Sequence, residues 1–261
     1  MRVDIHGHIG SLGDRTFSLD GARRYLDACG VDRLLVSNLD AASVGPGARD
    51  LDEPDANVAT LEACRQEPRL TAVYWVRPGR VDSNVHALAG ALETEPFSGA
   101  LFSPVRNDFA ADDKRLDRYV QAVGKLNRVA LFETARLENA RPTRVYLIAR
   151  RHPRVAVVLL NAGGDTHWPE AVDAVRRSIE RSDARLYLAT TRASAAEVAA
   201  AVEDLGARCV LFGSDATVHG EQHAARVQLQ LDQLQAALAP AEFARVAGEN
   251  AQELFRLPAT P

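Results

Sequence analysis

The 261-residue sequence contains only three cysteines, and none of them lies in a CxxC pair. They are widely separated, at Cys29, Cys64 and Cys209. An odd, scattered set argues against a disulfide framework and against a cysteine-based metal site. It indicates reduced thiols in the core, and therefore a reducing compartment.

Long apolar runs and concentrated charge are also absent. No run approaches the ~20 apolar residues that span a bilayer, and the N-terminus lacks the cationic and apolar regions of a secretory signal. The net charge is −4, with acidic and basic residues interspersed and no basic stripe. These absences predict a cytoplasmic protein that binds neither nucleic acid nor membrane and acts on a small molecule. They are compatible with a homo-oligomer.

The sequence does contain a regular alternation of short β-rich runs and longer amphipathic segments. The eight runs are VDIHGH, DRLLVSN, LTAVYWV, GALFSP, RVALFET, RVAVVLLN, RLYLAT and RCVLFGSD. Apolar strands that alternate with helices are typical of a parallel sheet covered by helices, so we predict a single-domain (β/α)₈ barrel over residues 1–261. A doubly wound open sheet is the alternative, but GHIGSLGDR after the first strand does not match its GxGxxG turn.

The first predicted strand carries two histidines, His6 and His8, with one residue between them. This spacing places both imidazoles on one face of a strand, and Asp4 is expected on the same face. In a barrel that face points inward, and the carboxyl ends of the strands form the active site. Two imidazoles there have the spacing to bind one metal ion. The alternative is a pair of hydrogen-bonded core histidines.

Two carboxylates follow buried strands in the same way. Asp215 ends the eighth strand in FGSD, beside the first strand of a closed barrel, and Glu133 ends the fifth strand in RVALFET. A carboxylate at the end of an apolar run must be hydrogen-bonded, paired or metal-bound. We predict that Asp215 binds a metal or activates water, with an N-cap as the alternative. Glu133 either joins this site or opens the following loop.

These motifs resemble those of a known family. DIHGH, HPRVAVVLLNAGG, CVLFGSD and GENAQELFRL, in this order, resemble the amidohydrolase superfamily. The similarity is to its branch of small metal-dependent hydrolases and decarboxylases related to aminocarboxymuconate semialdehyde decarboxylase, and it covers most of the chain. It implies a (β/α)₈ enzyme in which His6, His8 and Asp215 are metal ligands, and it assigns Glu133 to the metal by position alone.

The sequence departs from the family pattern at two strand ends. Glu133 stands where the fifth strand usually ends in a histidine ligand, and Asn161 stands where the sixth usually ends in a histidine. Two histidines, two carboxylates and one divalent ion sum to zero charge, so the ion would be a weaker Lewis acid. Zinc is the first expectation for this ion, and the oxygen ligands widen the choice to manganese or iron. Asn161 can polarise a carbonyl oxygen but cannot shuttle a proton near neutral pH.

Further candidates lie near the predicted catalytic face. Three arginines near strand ends would suit an anionic substrate: Arg77, Arg106 and Arg192. His167 and His219 are in loops after the sixth and eighth strands and could bind substrate, with plain exposed loop residues as the alternative. The remaining histidines fall in helices or at their ends, where we expect surface positions: His86, His152 and His223.

Three functions fit these features. In a hydrolase, a metal-activated water, deprotonated with help from Asp215, attacks an amide, lactone or ester, while Asn161 polarises the oxygen. In a decarboxylase of a small carboxylic acid, the carbanion must be protonated, so the missing strand-six histidine weighs more heavily. A barrel that has lost catalysis and serves as a binding protein would hold little metal. The sequence favours the hydrolase.

Overall fold

A computed structural model describes residues 1–79, 81–162 and 167–258 of the chain. The strands are β1 (Val3–Leu12), β2 (Arg15–Phe17), β3 (Arg33–Asn38), β4 (Leu70–Val76), β5 (Gly99–Phe102), β6 (Val129–Glu133), β7 (Ala156–Leu160), β8 (Arg185–Ala189) and β9 (Val210–Leu211). The helices are α1 (Leu19–Cys29), α2 (Glu53–Gln66), α3 (Val81–Thr94), α4 (Leu116–Lys125), α5 (Pro142–Arg151), α6 (Trp168–Arg181), α7 (Ala195–Leu205), α8 (His223–Ala237), α9 (Pro240–Ala244) and α10 (Asn250–Phe255). Within these described ranges, no helix combines the length and hydropathy needed to cross a bilayer.

The sheet is a barrel of eight parallel strands. β1 is followed in space by β3 and then by each later strand in turn, and the short β2 pairs antiparallel with β1. The backbone N–H of Ile5 donates to the carbonyl of Phe212 over 3.0 Å, and that of Ala216 donates to the carbonyl of His6 over 2.9 Å. These bonds join β1 to the segment around β9 and close the sheet. The predicted (β/α)₈ architecture is confirmed, and only β2 was not anticipated.

Two apolar layers enclose the strands. One layer, which includes Trp75, Leu131 and Val158, fills the barrel interior. The other packs the outer faces of the strands against the helices, and includes Tyr25 and Phe132. Successive strand residues alternate between the two layers because side chains in a strand point to opposite faces. A polar side chain at an inward position near a strand end therefore faces the mouth of the barrel.

The first strand departs from simple alternation. The pairing register between β1 and β3 shifts between Asp4 and Gly7, as at a β-bulge. The residues on either side of Asp4 belong to the inner layer, so Asp4 points outward, where the Tyr25 hydroxyl donates to it over 2.6 Å. The expectation that Asp4 shares a face with His6 and His8 is wrong, because the period-two rule does not carry across a bulge.

Candidate metal centre

Four ionisable side chains meet inside the mouth of the barrel. His6 and His8 extend from β1, Glu133 ends β6, and Asp215 follows β9; each is 5% exposed or less. Oε1 of Glu133 lies 3.6 Å from Nε2 of His6 and 3.5 Å from Nε2 of His8. Oδ1 of Asp215 lies 3.9 Å and 3.4 Å from the same two nitrogens. The four sequence candidates therefore form one compact cluster.

Two hydroxyl groups orient the imidazoles. Nδ1 of His6 lies 3.1 Å from Oγ1 of Thr191, and Nδ1 of His8 lies 3.1 Å from Oγ of Ser37. A ring proton on Nδ1 donates to these oxygens and leaves each Nε2 with a lone pair that faces the carboxylates. The hydroxyls thus fix both the ring orientation and the nitrogen that is available to a ligand.

Each carboxylate has a second oxygen that faces away from the histidines. Oε2 of Glu133 accepts a hydrogen bond from the hydroxyl of Ser103 and lies 3.5 Å from Nε of Arg106. Oδ2 of Asp215 accepts from Nη2 of Arg192 over 3.3 Å. A guanidinium group therefore flanks the cluster on both sides, which places positive charge where an anionic substrate would approach.

Charge within the cluster shifts the titration of its members. Burial alone would lower the pKa of His8, but the carboxylates of Asp215 and Glu133 outweigh it and raise that pKa to about 9. Burial alone would raise the pKa of both carboxyls, but the adjacent histidine rings hold each well below its ordinary value. Both carboxylates are therefore ionised near neutral pH, and the cluster attracts a cation.

The donor set fits one divalent metal ion. Ligand atoms of His6, His8 and Asp215 all lie within 4.8 Å of one another. Nε2 of both histidines and Oε1 of Glu133 are buried and have no hydrogen-bond partner among the described residues. Buried polar atoms without partners are costly, and three of them pointing at one point indicate an ion that satisfies them. Two imidazole nitrogens and two carboxylate oxygens suit zinc, manganese or iron.

A buried network behind the cluster holds Asp215 in place. Oδ1 of Asp4 accepts from the backbone N–H groups of His6 and Ser214, each over 3.0 Å, and Oδ2 accepts from the hydroxyl of Ser214 over 2.5 Å. Burial raises the pKa of Asp4 against these hydrogen bonds. A Cβ on Gly213 would lie 3.0 Å from Oγ1 of Thr191, so glycine is needed there for the chain to approach the site.

The other sequence candidates have different surroundings. Arg106 and Arg192 touch the cluster, whereas the guanidinium of Arg77 pairs with Asp50 and donates to the carbonyl of Leu51 over 2.7 Å. Asn161 directly follows β7 in a left-handed backbone conformation with φ of 54°, and its Oδ1 is buried without a partner in the described structure.

The two loop histidines also differ from each other. His167 precedes α6 with its Nδ1 3.5 Å from Oε2 of Glu170. The ring of His219 is exposed and stacks on that of His223, with centroids 5.7 Å apart. Among the described residues, neither histidine forms a hydrogen bond or an ion pair with the four-residue cluster.

Sequence reasoning missed three residues near the site. Ser37 and Thr191 follow buried strand residues as Glu133 does, so the rule that identified Glu133 could have identified them. His223 was expected at the surface, but its ring is 1% exposed and its Nε2 lies 3.0 Å from Oγ of Ser214. The expectation was wrong because the ring packs inward against Tyr25, with centroids 5.1 Å apart.

Comparisons with known proteins identify the family and the fold. A family model described as amidohydrolase matches residues 3–257, and no curated protein sequence matches the chain. The fold is similar to the crystal structure of 2,6-dihydroxybenzoate decarboxylase from Rhizobium, with a TM-score of 0.74, 15% identity and 98% of each chain covered. It is also similar to 5-carboxyvanillate decarboxylase from Sphingomonas paucimobilis, with a TM-score of 0.75, 15% identity, and 98% of this chain and 99% of that one covered.

A third solved structure contains a metal. Dihydroxybenzoic acid decarboxylase from Polaromonas sp. JS666, with bound manganese and the inhibitor 2-nitroresorcinol, has a TM-score of 0.73 and 15% identity, and 99% of this chain and 98% of that one are covered. At such low identity these likenesses establish the fold alone.

Proposed function

This chain belongs to the amidohydrolase family, and we propose that it is a metal-dependent decarboxylase of a small aromatic carboxylic acid. The hydrolase that the sequence favours is the weaker candidate, because the solved structures described above are decarboxylases, and this chain is similar to them over nearly their whole length. The observation that carries the proposal is the cluster itself, in which partnerless buried nitrogen and oxygen atoms converge between two arginines.

His6, His8, Glu133 and Asp215 are the proposed metal ligands, and manganese is the proposed ion. Manganese accepts carboxylate oxygens readily, and the Polaromonas enzyme is described with it. When bound, the divalent ion supplies positive charge that holds the oxygens of the substrate next to the reacting carbon. Zinc is the ion that the sequence suggested first, and metal analysis of the purified protein distinguishes it from manganese.

Arg106 and Arg192 are proposed to orient the substrate carboxylate. Their guanidinium groups lie on opposite carboxylates of the cluster, so an anion entering the mouth meets positive charge from both sides. Guanidinium groups donate in a planar fork that matches a carboxylate. Asn161, with a side chain near the mouth at the end of β7, is proposed to hold an adjacent substrate oxygen. The guanidinium of Arg77 is already engaged by Asp50 and is not part of the proposed site.

Solvent water beside Asp215 is the proposed proton source. In the reaction the bond between the ring carbon and the carboxylate breaks, carbon dioxide leaves, and the electron pair stays on the carbon. One proton from a water molecule then joins that carbon, and the hydroxide that remains is neutralised by a proton from bulk solvent. The low pKa of Asp215 keeps its carboxylate ionised, so it can accept a hydrogen bond from this water and orient it. Asn161 cannot supply the proton.

The test combines metal analysis with two substrate panels. Purified protein should contain close to one divalent ion per chain, and the manganese-loaded form should release carbon dioxide from hydroxybenzoic acids such as 2,6-dihydroxybenzoate. Hydrolysis of lactones, amides and esters should stay at background. Turnover of the hydrolase panel without release of carbon dioxide would contradict the proposal.

Matched variants separate the metal site from general damage. His6→Ala and Asp215→Asn should lower metal content and abolish turnover, because each removes a proposed ligand. His86→Ala, which changes an exposed histidine of α3, is the control and should keep both. Glu133→Gln should weaken metal binding; full metal affinity in this variant would remove Glu133 from the ligand set.

A further inference from the structure

A cavity of about 370 Å³ lies beside the proposed metal centre, between the first turn of α7 and the face of α8 that runs from His223 to Gln233. Its lining includes Arg192, Asp215, His219, His223 and Arg226. Since Asp215 also faces the histidines of β1, the cavity begins where the metal cluster ends. A substrate held at the metal could therefore extend into it.

Arg192 stands at the boundary between the cluster and the cavity. Its Nη2 lies 3.3 Å from Oδ2 of Asp215, and its side chain is 54% exposed. The backbone of Arg192 is left-handed, with φ of 66°, which is costly for a residue with a side chain. Strained backbone of this kind clusters at functional sites. Here it aims a guanidinium group across the entrance of the cavity.

Arg226 adds a second guanidinium, which, unlike that of Arg192, has no counter-ion among the described residues. It is exposed on the first turns of α8, and within the described part of the chain it has no ion pair or hydrogen bond. It also lines an adjoining cavity with Arg15 and His219. The positive charges that act on His219 come from Arg226, Arg192 and Arg15, against the one carboxylate of Asp215.

The two histidines of the cavity respond to that excess. Burial and then the charge of Arg226 lower the pKa of His219. Burial and then His219 lower the pKa of His223 to about 4, with Arg226 contributing. The guanidinium groups of Arg192 and Arg226 in the same lining indicate that an occupant of the cavity is negatively charged.

We propose that this cavity is an anion subsite, in which Arg226 holds a second carboxylate or phosphate group of the substrate, while Arg192 at the entrance faces the reacting carboxylate. The first turn of α7 also lines the cavity, at Ser194 and Ala195, and adds the positive end of its dipole. The assignment of the anion to the substrate rests on the proposed function, whereas the existence of the subsite does not. The substrate class is thereby narrowed to acids that carry a second anionic group away from the reacting carboxylate.

The test is a binding comparison on the manganese-loaded protein with two probes that differ by one carboxylate. Isothermal titration calorimetry should show benzene-1,3-dicarboxylate binding about tenfold more tightly than benzoate, and the difference should shrink at high salt. Arg226→Ala should abolish the difference while benzoate affinity is kept. Equal affinity of the two probes for the unaltered protein, or a retained advantage in Arg226→Ala, would overturn the proposal.

Two controls make the result specific. Arg181→Ala removes the same charge from the last turn of α6, at the opposite end of the barrel from the helix N-termini, and should keep the tenfold difference. Inorganic phosphate is the third probe, and it should compete with the dicarboxylate. Phosphate binding that depends on Arg226, combined with no advantage for the dicarboxylate, would show a site for a separate anion and refute the link to substrate.

These measurements do not depend on turnover. A dicarboxylate advantage that Arg226→Ala removes, in a protein that releases no carbon dioxide, would support the subsite and contradict the proposed function. Decarboxylation of monocarboxylates with equal probe affinities would do the reverse. The two proposals therefore fail separately.

Discussion

Removal of the hydroxyl groups behind the two histidines tests whether the cluster is built for a metal. Ser37→Ala removes the hydroxyl beside Nδ1 of His8, and Thr191→Val removes the one beside Nδ1 of His6 with little change of volume. Neither substitution touches a proposed ligand. We expect both variants to fold and to bind the divalent ion more weakly.

The magnitude follows from the burial of these hydrogen bonds. Ser37 and Thr191 are 3% and 0% exposed, so no water can replace the lost hydroxyl. A buried N–H left without an acceptor costs about 1–3 kcal/mol, and the imidazole can avoid that cost only by turning away or by changing its protonated nitrogen. Partners of metal-bound histidines contribute about 10–100-fold in metal affinity. We therefore expect a loss of this size for each variant.

The assay is competition with a chelator of known affinity, followed for manganese and for zinc. Ser98→Ala is the matched control, because Ser98, just before β5, is also buried and its hydroxyl donates over 3.1 Å to the backbone carbonyl of Ala72 in β4, away from the cluster. The control should keep the affinity of the unaltered protein. Unchanged affinity in Ser37→Ala and Thr191→Val, or an equal loss in Ser98→Ala, would refute the assigned role of the two hydroxyls.

Three further predictions concern pH and packing. Since His8 has a pKa of about 9 without metal and must be neutral to bind one, metal affinity should rise about tenfold per pH unit between pH 6.5 and 9; calorimetry in two buffers at pH 7.5 that shows no proton release would contradict this. Burial raises the pKa of Glu53 from 4.5 to about 7, so its contribution to stability is complete below pH 4.5 and is lost as pH rises through about 7. In Glu53→Gln the free energy of unfolding, measured with urea, should fall less between pH 5 and 8, by up to about 3 kcal/mol. An unchanged pH dependence of that free energy would exclude Glu53 as its source. Gly213→Ala, which places a Cβ 3.0 Å from Thr191 and 3.2 Å from His6, should lower the metal content measured by mass spectrometry, and full occupancy would show that the site can adjust.

The fold could be predicted because each parallel strand is marked by its own apolar run. Strands buried on both faces need apolar residues at nearly every position, and the run from Ala156 to Leu160 is a clear example. β2 could not be predicted in this way. It has only three residues, Arg15 and Thr16 are exposed, and Phe17 alone is buried, so it has no periodic pattern to detect.

The site was predicted as far as strand ends could reveal it. Glu133 and Asp215 stand where an apolar strand ends, His6 and His8 lie within β1, and the closed barrel brings the four side chains together. The orientation of Asp4 could not be predicted, because a bulge has no signature in an alternating pattern.

The burial of His223 was hidden for a different reason. A histidine in the first turn of a helix is usually solvated, and nothing in the local sequence shows that Tyr25 and Ser214 enclose this one. Its environment is set by α1 and by the segment after β9, which are far from it in sequence. Contacts of this kind follow from the tertiary packing and not from local patterns.

The charge of the cluster bears on the choice between the two reactions. Two ionised carboxylates cancel the charge of a divalent ion, so an ion held by this cluster acidifies water less than one held by histidines alone. Hydrolysis depends on that acidification, whereas decarboxylation needs only that the substrate oxygens be held and that one proton be delivered. Arg106 and Arg192 add positive charge beside the two carboxylates, where it would attract the proposed anionic substrate. Replacement of the family's histidine by Glu133 therefore weakens the case for a hydrolase and is compatible with a decarboxylase.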